Sequence, residues 1–256
     1  MIKNWVGFYT LIRREVGRTK RVIGQAVVTP LVTAILYVFV FGYVVGNKIE
    51  LIEGIKYISF VFPGLIGMTL MMTVFNATSF STFFMKFQKT IEELLTLPIS
   101  YIELVLSLIV GGVIRAFLIA VPLALLAISL DINTLVHPVI FILYVTITGL
   151  LFGVWGLIAG IWADNSFEKL GIVGTFLLMP LTFIGGTFYS LSMLPEKLQF
   201  LATLNPVFYA IDGIRYSFTG FHDASLYVGI SVLAILTIIS IFIAVGIFKS
   251  GWKLRS

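Results

Sequence analysis

The sequence predicts an all-α, polytopic membrane protein: six transmembrane helices, an N-terminal amphipathic interface helix, and an external re-entrant helical hairpin between spans five and six. Hydrophobic residues make up 59% of the chain and charged residues 11%, whereas soluble domains average roughly 25% charged residues. Six apolar stretches also reach the ~20 residues that a helix needs to cross ~30 Å of hydrocarbon. They cover residues 22–45, 58–84, 104–130, 139–162, 170–189 and 226–248.

The basic residues predict the orientation of these spans. With the N-terminus inside, 12 of the 17 lysines and arginines lie on cytoplasmic segments, four lie on the opposite side, and Arg115 lies within a span. The positive-inside rule then places both termini in the cytoplasm, and we expect a multi-pass protein of the cytoplasmic (inner) membrane of a prokaryote. This topology and anionic lipids account for the net charge of +5, so no nucleic-acid partner is expected.

The whole chain, 1–256, is predicted to form a single transmembrane domain. Residues 1–21 form the cytoplasmic amphipathic helix, 22–248 the six-span core and 249–256 a cytoplasmic tail. In the first helix, apolar side chains recur at the spacing that stacks them on one face, namely at Trp5, Phe8, Tyr9, Ile12 and Val16. Arg14 and Arg18 fall opposite. Two compatible roles are open: a lipid-surface anchor and a docking element for a partner.

A second cytoplasmic segment lies between spans two and three and reads MKFQKTIEELLTLPIS over 85–100. It is predicted to contain a short helix that ends before Pro98. Ile91 and Leu94 share one face and Glu92 and Glu93 point elsewhere, which suits either burial against the protein's own spans or contact with a soluble protein.

The connection 190–223 is too apolar for a solvated loop and too interrupted for a span. Pro195 suits the first turn of one short helix, and Asn205-Pro206 is a start signal for a second, with Asn205 as cap. We expect a re-entrant or interfacial hairpin in which Tyr209 and Tyr216 are interfacial aromatics, joined by Phe208 and Phe218. Asp212 and Arg215 are three apart, a spacing that allows a weak pair on its surface. A structural plug and a gate are both open.

The chain lacks the motifs of ATP-binding and metal-dependent enzymes. It contains no GxxxxGK[ST] loop, no GxGxxG and no HExxH, so neither catalytic residues nor a cofactor is expected. Cysteine is absent, and the two histidines, His137 and His222, lie far apart, which makes a metal site improbable.

Polar residues within the spans are the candidates for a transport pathway. Asn76 and Ser79 lie in the inner half of span two, where such groups either join helices or line a path. Arg115 in span three costs ~2.5–3.5 kcal/mol at a helix centre by insertion scales. It is expected either to snorkel to the headgroups or to line an aqueous or headgroup-accepting path.

Four motifs together resemble the permease subunits of ABC-2 type exporters, most closely the YadH-like branch of that family. They are Phe87-Gln88 before TIEELL at 90–95 and Pro98, GGTFYSL at 185–191 with Leu194-Pro195, Leu204-Asn205-Pro206, and GIRY at 213–216. The resemblance covers almost the whole chain.

The resemblance implies a six-span subunit that pairs with a second copy of itself, each copy docked on a separate cytoplasmic ATPase that binds ATP and Mg²⁺. The implied docking residues are Phe87, Gln88, Ile91, Glu92, Glu93, Leu94, Arg14 and Arg18. The implied gate is the hairpin, with Pro195, Asn205, Pro206, Tyr209, Arg215 and Tyr216. The implied cargo is an amphiphilic drug, lipid or lipid-linked glycan. The alternative is a channel or secondary transporter that works without an ATPase.

Overall fold

The computed structural model describes residues 4–21, 23–46, 51–163 and 166–254. Residue 22, the predicted start of span one, lies outside these ranges, as do residues 1–3 of the N-terminal segment and 255–256 of the predicted tail. The α-helices are α1 (Trp5–Arg21), α2 (Ile23–Tyr37), α3 (Tyr57–Phe87), α4 (Thr90–Leu95), α5 (Tyr101–Ser129), α6 (Pro138–Trp162), α7 (Glu168–Ile172), α8 (Met179–Ile184), α9 (Glu196–Thr203), α10 (Pro206–Thr219) and α11 (Leu226–Ser250). The short antiparallel strands β1 (Leu51–Ile52) and β2 (Ile55–Lys56) form a hairpin before α3.

Four helices in the described part of the chain are long and apolar enough to cross a membrane: α3, α5, α6 and α11, with 31, 29, 25 and 25 residues. They occupy predicted spans two, three, four and six. The all-α polytopic fold is therefore confirmed, while a total of six crossings stays a prediction.

Predicted spans one and five are helical but interrupted. Helix α2 contains Pro30 and continues as a π-helix over Val38–Val45. In span five, a π-helical turn over Val173–Leu178 joins α7 to α8, and the helical run ends at Ile184. A run over 168–184 rises about 26 Å, slightly less than the hydrocarbon thickness. The predicted end of this span at residue 189 is therefore too late for a helix.

Glycines let α6 pack closely between α3 and α5. A Cβ atom at Gly156 or Gly160 would lie 2.6 or 2.5 Å from backbone carbonyl oxygens of α3. On the side towards α5, a Cβ at Gly149 would lie 3.0 Å from the Cβ of Ala116. Small residues four apart allow such backbone contact between membrane helices. Helix α6 is thus the central helix against which the other long helices are placed.

Helix α1 lies along α5 and is anchored at its start. The backbone N–H of Asn4 donates to Glu103 (3.1 Å), and the Ser100 hydroxyl and Glu103 form the capping box that begins α5. The face towards the protein carries Leu11, Glu15 and Thr19, all buried. The predicted apolar face points away from the core, with Trp5 and Tyr9 exposed, as suits a lipid-facing anchor.

The hairpin between the fifth and sixth predicted spans consists of α9 and α10. The Asn205 side chain accepts the N–H of Val207 (3.0 Å) and Pro206 occupies the first helical turn, which confirms the predicted start signal. The expectation that α10 carries interfacial aromatics is wrong for Phe208, Tyr209 and Phe218, which are buried in the main core. Helix α10 packs against α3, α6 and α11, so these three aromatic side chains pack in the interior.

Candidate functional site

A cavity of about 660 Å³ lies between α1, α2, α3 and α5. We call it the central cavity. Its lining combines polar and apolar side chains. They are Arg18, Thr29, Pro30, Thr73, Asn76, Ala77, Phe80, Ser81, Arg115, Leu118 and Ile119. The volume falls in the range of small-molecule sites, roughly 300–1,000 Å³.

Arg115 is the middle residue of α5, fourteen positions from Tyr101 and from Ser129. Its side chain is only 7% exposed and lines the central cavity. These surroundings are those that the second sequence-based alternative, the lining of a path, requires, and that role stays a prediction. Gly111 lies one turn earlier on α5, where a Cβ would stand 3.1 Å from a carboxylate oxygen of Glu15. The missing side chain at Gly111 gives Glu15 its place.

Glu15 is a buried carboxylate, 1% exposed, that the sequence analysis missed. Arg18 donates to Glu15 Oε2, and Arg14 lies 3.7 Å from the other carboxylate oxygen. The pKa of Arg18 is lowered overall, mainly by burial. The charge of Arg14 lowers it further, and the carboxylate of Glu15 opposes the shift. Among the basic residues of α1 an acid looked like ordinary surface charge. Its spacing of four from both Leu11 and Thr19 is the signal that could have placed it on the buried face.

Three donors at the cavity have spare hydrogen-bonding capacity. Arg18 Nε and Ser81 Oγ are buried and have no hydrogen-bond partner within the described residues. Arg115 interacts electrostatically with Arg18 and Glu15. It makes no hydrogen bond or ion pair within the described ranges. Buried polar groups are normally satisfied, so the cavity presents unused donors.

The two polar candidates of span two separate. Asn76 lines the central cavity, as its role as a pathway residue requires. Ser79 does not: it is buried, donates to the Asn76 carbonyl (3.0 Å), and its own carbonyl faces Gly160 of α6. Ser79 is therefore a residue of the α3–α6 contact, and its assignment to the pathway is corrected.

The two predicted docking elements lie side by side. Arg14 of α1 approaches the Met85 sulfur (3.4 Å), and Asn4 donates to the Pro98 carbonyl (3.2 Å) at the far end of the segment. Leu11 joins the buried cluster beneath α4. Helix α1 and the segment 85–98 thus form one continuous surface.

On this surface Phe87 is 72% exposed, and Gln88 and Glu93 are also exposed while Glu92 is half-buried. We call these four residues, together with half-exposed Arg14, the docking surface. Ile91 and Leu94 are corrected: they are buried in the cluster that holds α4 to the protein. They do not themselves face a partner. Arg18, which faces the cavity, is likewise not part of this surface.

Arg215 forms a buried clamp at the opposite end of the molecule. It is 1% exposed, donates to the carbonyls of Phe60 (3.2 Å) and Gly186, and lies 3.8 Å from Asp223. Its guanidinium also lies 3.9 Å from the centre of the Phe60 ring. The expectation of a surface pair with Asp212 is wrong. We call the group of Arg215, Phe60, Gly186 and Asp223 the hairpin clamp.

The remaining hairpin residues connect it to its neighbours. Asp212 accepts the backbone N–H groups of Asp223 and Ala224 (2.8 and 3.1 Å), which fixes the turn after α10. Asn205 donates to the carbonyl of Leu181 in α8 (2.6 Å), and thereby ties the hairpin to predicted span five. Pro195 precedes α9.

Two tyrosines of the hairpin make local contacts. The Tyr209 hydroxyl donates to the carbonyl of Thr203 (2.9 Å) and so joins α10 to the end of α9. Half-buried Tyr216 stacks on His137, with ring centres 4.7 Å apart. Tyr209 thus joins the two helices of the hairpin, and Tyr216 joins α10 to the start of α6.

Comparison with known proteins identifies the class of this molecule. The family model described as ABC-2 type transporter matches residues 6–219, and the chain belongs to that family. It is the membrane subunit of an ABC transporter, a class of transport permeases that are not themselves catalytic. The resemblance inferred from the motifs is confirmed.

Individual relatives match over nearly their whole length. The chain is 35% identical over 254 residues, 98% of each chain, to the inner membrane transport permease YadH of Escherichia coli strain K12. It is 23% identical over 247 residues, 96% of this chain and 93% of the relative, to Nodulation protein J of Rhizobium meliloti strain 1021.

Proposed function

We propose that this chain is the permease subunit of an ATP-driven exporter that moves an amphiphilic drug, lipid or lipid-linked glycan outward across the cytoplasmic membrane. Separate ATPase subunits bind ATP and Mg²⁺ and supply the energy. The single observation that carries the proposal is the docking surface. It supports contact with a partner protein because Phe87 and Glu93 are exposed side by side. The buried side chains of Ile91 and Leu94 hold the segment that carries them against the protein.

The docking surface has the composition of a protein contact. An exposed aromatic side chain surrounded by polar groups is typical of an interface anchor. Phe87 is such a side chain and shares the docking surface with Gln88, Glu93 and Arg14. Because α1 and the segment 85–98 contact each other, force applied at this surface reaches both α3 and α5. Both helices line the central cavity. This connection suits coupling between a partner's ATP hydrolysis and a change in the cavity.

The positive-inside distribution supports placing the docking surface and both termini in the cytoplasm. A relative named as an inner membrane permease of a bacterium supports the cytoplasmic membrane. With this topology the hairpin clamp lies at the external side of the membrane. There α9 and α10 cap the exit of the pathway and act as its gate. We further propose that two copies pair and share one pathway, since six short spans are few for a large amphiphile.

Affinity purification of the chain from its native membrane tests this function. We expect a P-loop ATPase to copurify and its ATP hydrolysis to be stimulated by members of a panel of amphiphilic drugs, lipids and lipid-linked glycans. In parallel, liposomes that contain the chain alone should show no gradient-driven flux of ions or amphiphiles. Flux from the chain alone without a copurifying ATPase would favour the alternative, a channel or secondary transporter.

A further inference from the structure

We infer that Arg18 and Arg115 form a binding site in the central cavity for the anionic head of an amphiphile, a phosphate or carboxylate group. The inference rests on the proposed function, in that the occupant is taken to be an amphiphile, and it names the chemical class of that occupant. The site lies between the C-terminal half of α1 and the middle of α5.

The charge of the lining points to an anion. Arg18 and Arg115 both line the cavity, and no carboxylate does so among the described residues. Glu15 neutralises only part of this charge, because it lies behind the lining and is shared with Arg14 as well as Arg18. The Arg115 side chain is buried and the Arg18 side chain is 34% exposed, and two like charges that border the same cavity repel each other unless an opposite charge joins them. An anionic group between the two guanidinium groups would relieve that repulsion.

The hydrogen-bonding groups point the same way. Arg18 Nε and Ser81 Oγ lack partners, and Arg115 makes no hydrogen bond within the described chain. Arginine offers five N–H donors and no acceptor, so the missing partner must bring acceptors. Phosphate and carboxylate oxygens match the planar guanidinium fork and form its strongest hydrogen bonds.

The apolar part of the lining favours an amphiphile over a free anion. Phe80, Leu118 and Ile119 share the cavity with the two arginines. A volume of about 660 Å³ exceeds what a phosphate group needs. The remaining space suits the first segment of an alkyl chain.

Glu15 gives this site a diagnostic property. Its carboxylate holds Arg18 by a direct hydrogen bond, so it competes with any anion that approaches the same guanidinium. Neutralising Glu15 without changing its size should therefore strengthen anion binding. A purely structural role for the three residues predicts no such gain.

The test is equilibrium binding of tritiated decyl phosphate to the full chain in phosphatidylcholine nanodiscs, without ATPase or ATP, by scintillation proximity. We expect saturable binding to the wild type. Arg115→Gln and Arg18→Gln should each weaken it about tenfold or more, whereas Arg115→Lys should keep part of the affinity because the charge remains. Glu15→Gln should strengthen it several-fold. Arg13→Gln, which removes an exposed arginine from the same helix, should bind like the wild type.

Two competition arms identify the source of the anion. Unlabelled decyl phosphate should displace the probe, whereas neutral decyl maltoside and inorganic phosphate at equal concentration should not. If phosphatidylglycerol in the nanodisc displaces it, the site stands and bilayer lipid is its occupant. The inference is overturned if the wild type shows no saturable binding, if the Arg18 and Arg115 variants bind like Arg13→Gln, or if inorganic phosphate competes as well as decyl phosphate. Because no ATPase is present, these results do not depend on whether the chain is an exporter.

Discussion

Arg115 and Arg215 are both buried, and their surroundings differ. Arg215 is satisfied by two backbone carbonyls, Asp223 and the Phe60 ring, which is the pattern of a structural clamp. Arg115 has no such partners among the described residues and borders a cavity, which is the pattern of a binding residue. Insertion cost alone marks Arg115 as unusual, but only the packing distinguishes the two roles.

Arg215→Ala should destabilise the protein by roughly 3–5 kcal/mol, because it leaves the Asp223 carboxylate buried without its cation. Thermal unfolding in detergent measures the effect, with Lys197→Ala on exposed α9 as the control of equal charge change. Adding Asp223→Asn to Arg215→Ala should recover part of the loss, since the unpaired charge is removed. Equal unfolding temperatures for Arg215→Ala and Lys197→Ala would contradict the clamp.

At this scale the sequence predicted types of residue better than their partners. Arg115 and Asn76 were chosen as pathway candidates because polar groups in hydrocarbon are costly, and both line the cavity; their role in a pathway stays a prediction. Ser79, Glu15 and Arg215 were misjudged or missed. Their roles depend on which face of a helix meets which neighbour, and that is set by tertiary packing, which a linear pattern does not contain.

The glycines of α6 determine how closely its neighbours approach. Gly160→Ala should cost roughly 1–3 kcal/mol of stability because the added methyl group would overlap the α3 backbone. Gly246→Ala on α11 is the matched control, since nothing lies within 4 Å of a Cβ there, and it should be neutral or stabilise by roughly 0.5–1 kcal/mol. Unfolding temperatures of the two variants measure the difference. The close α3–α6 contact would be refuted if the two substitutions had the same effect.

The docking surface predicts the effect of reversing its acidic charges. Glu92→Lys combined with Glu93→Lys should uncouple ATP hydrolysis from transport in the purified complex while the spans stay inserted. A partner surface that is complementary to the two acids is basic, and the new lysines would repel it. Glu196→Lys, an exposed acid on α9, is the control at the other end of the molecule. Transport at the wild-type rate by the double variant would remove these two acids from the coupling surface.

The helices themselves were largely predictable from the sequence. Continuous apolarity indicated α3, α5, α6 and α11, and Asn205-Pro206 indicated the start of α10. The π-helical segments in spans one and five were not foreseen, since a change from i→i+4 to i→i+5 bonding leaves no mark in an apolar run. The early end of the helical run in predicted span five also escaped prediction, because the apolar residues that follow Ile184 look like more of the same helix.

At the scale of the whole molecule, sequence and structure together describe a membrane subunit whose parts are arranged for transport. The docking surface lies at one end, the hairpin clamp at the other, and the central cavity borders helices α1 and α5 that lead from the docking surface. Membership in the ABC-2 type transporter family agrees with this arrangement. The partner subunits complete the proposed machine.

The most direct test of the proposed machine is the native mass of the complex extracted from its source membrane in nanodiscs. We expect two copies of this 28.4 kDa chain together with two copies of a P-loop ATPase, and we expect the complex to hydrolyse ATP. The Glu92→Lys/Glu93→Lys variant, extracted in the same way, should keep both components and hydrolyse ATP without transport. A transport-competent particle that holds a single copy of this chain, or that holds no ATP-hydrolysing subunit, would contradict the account.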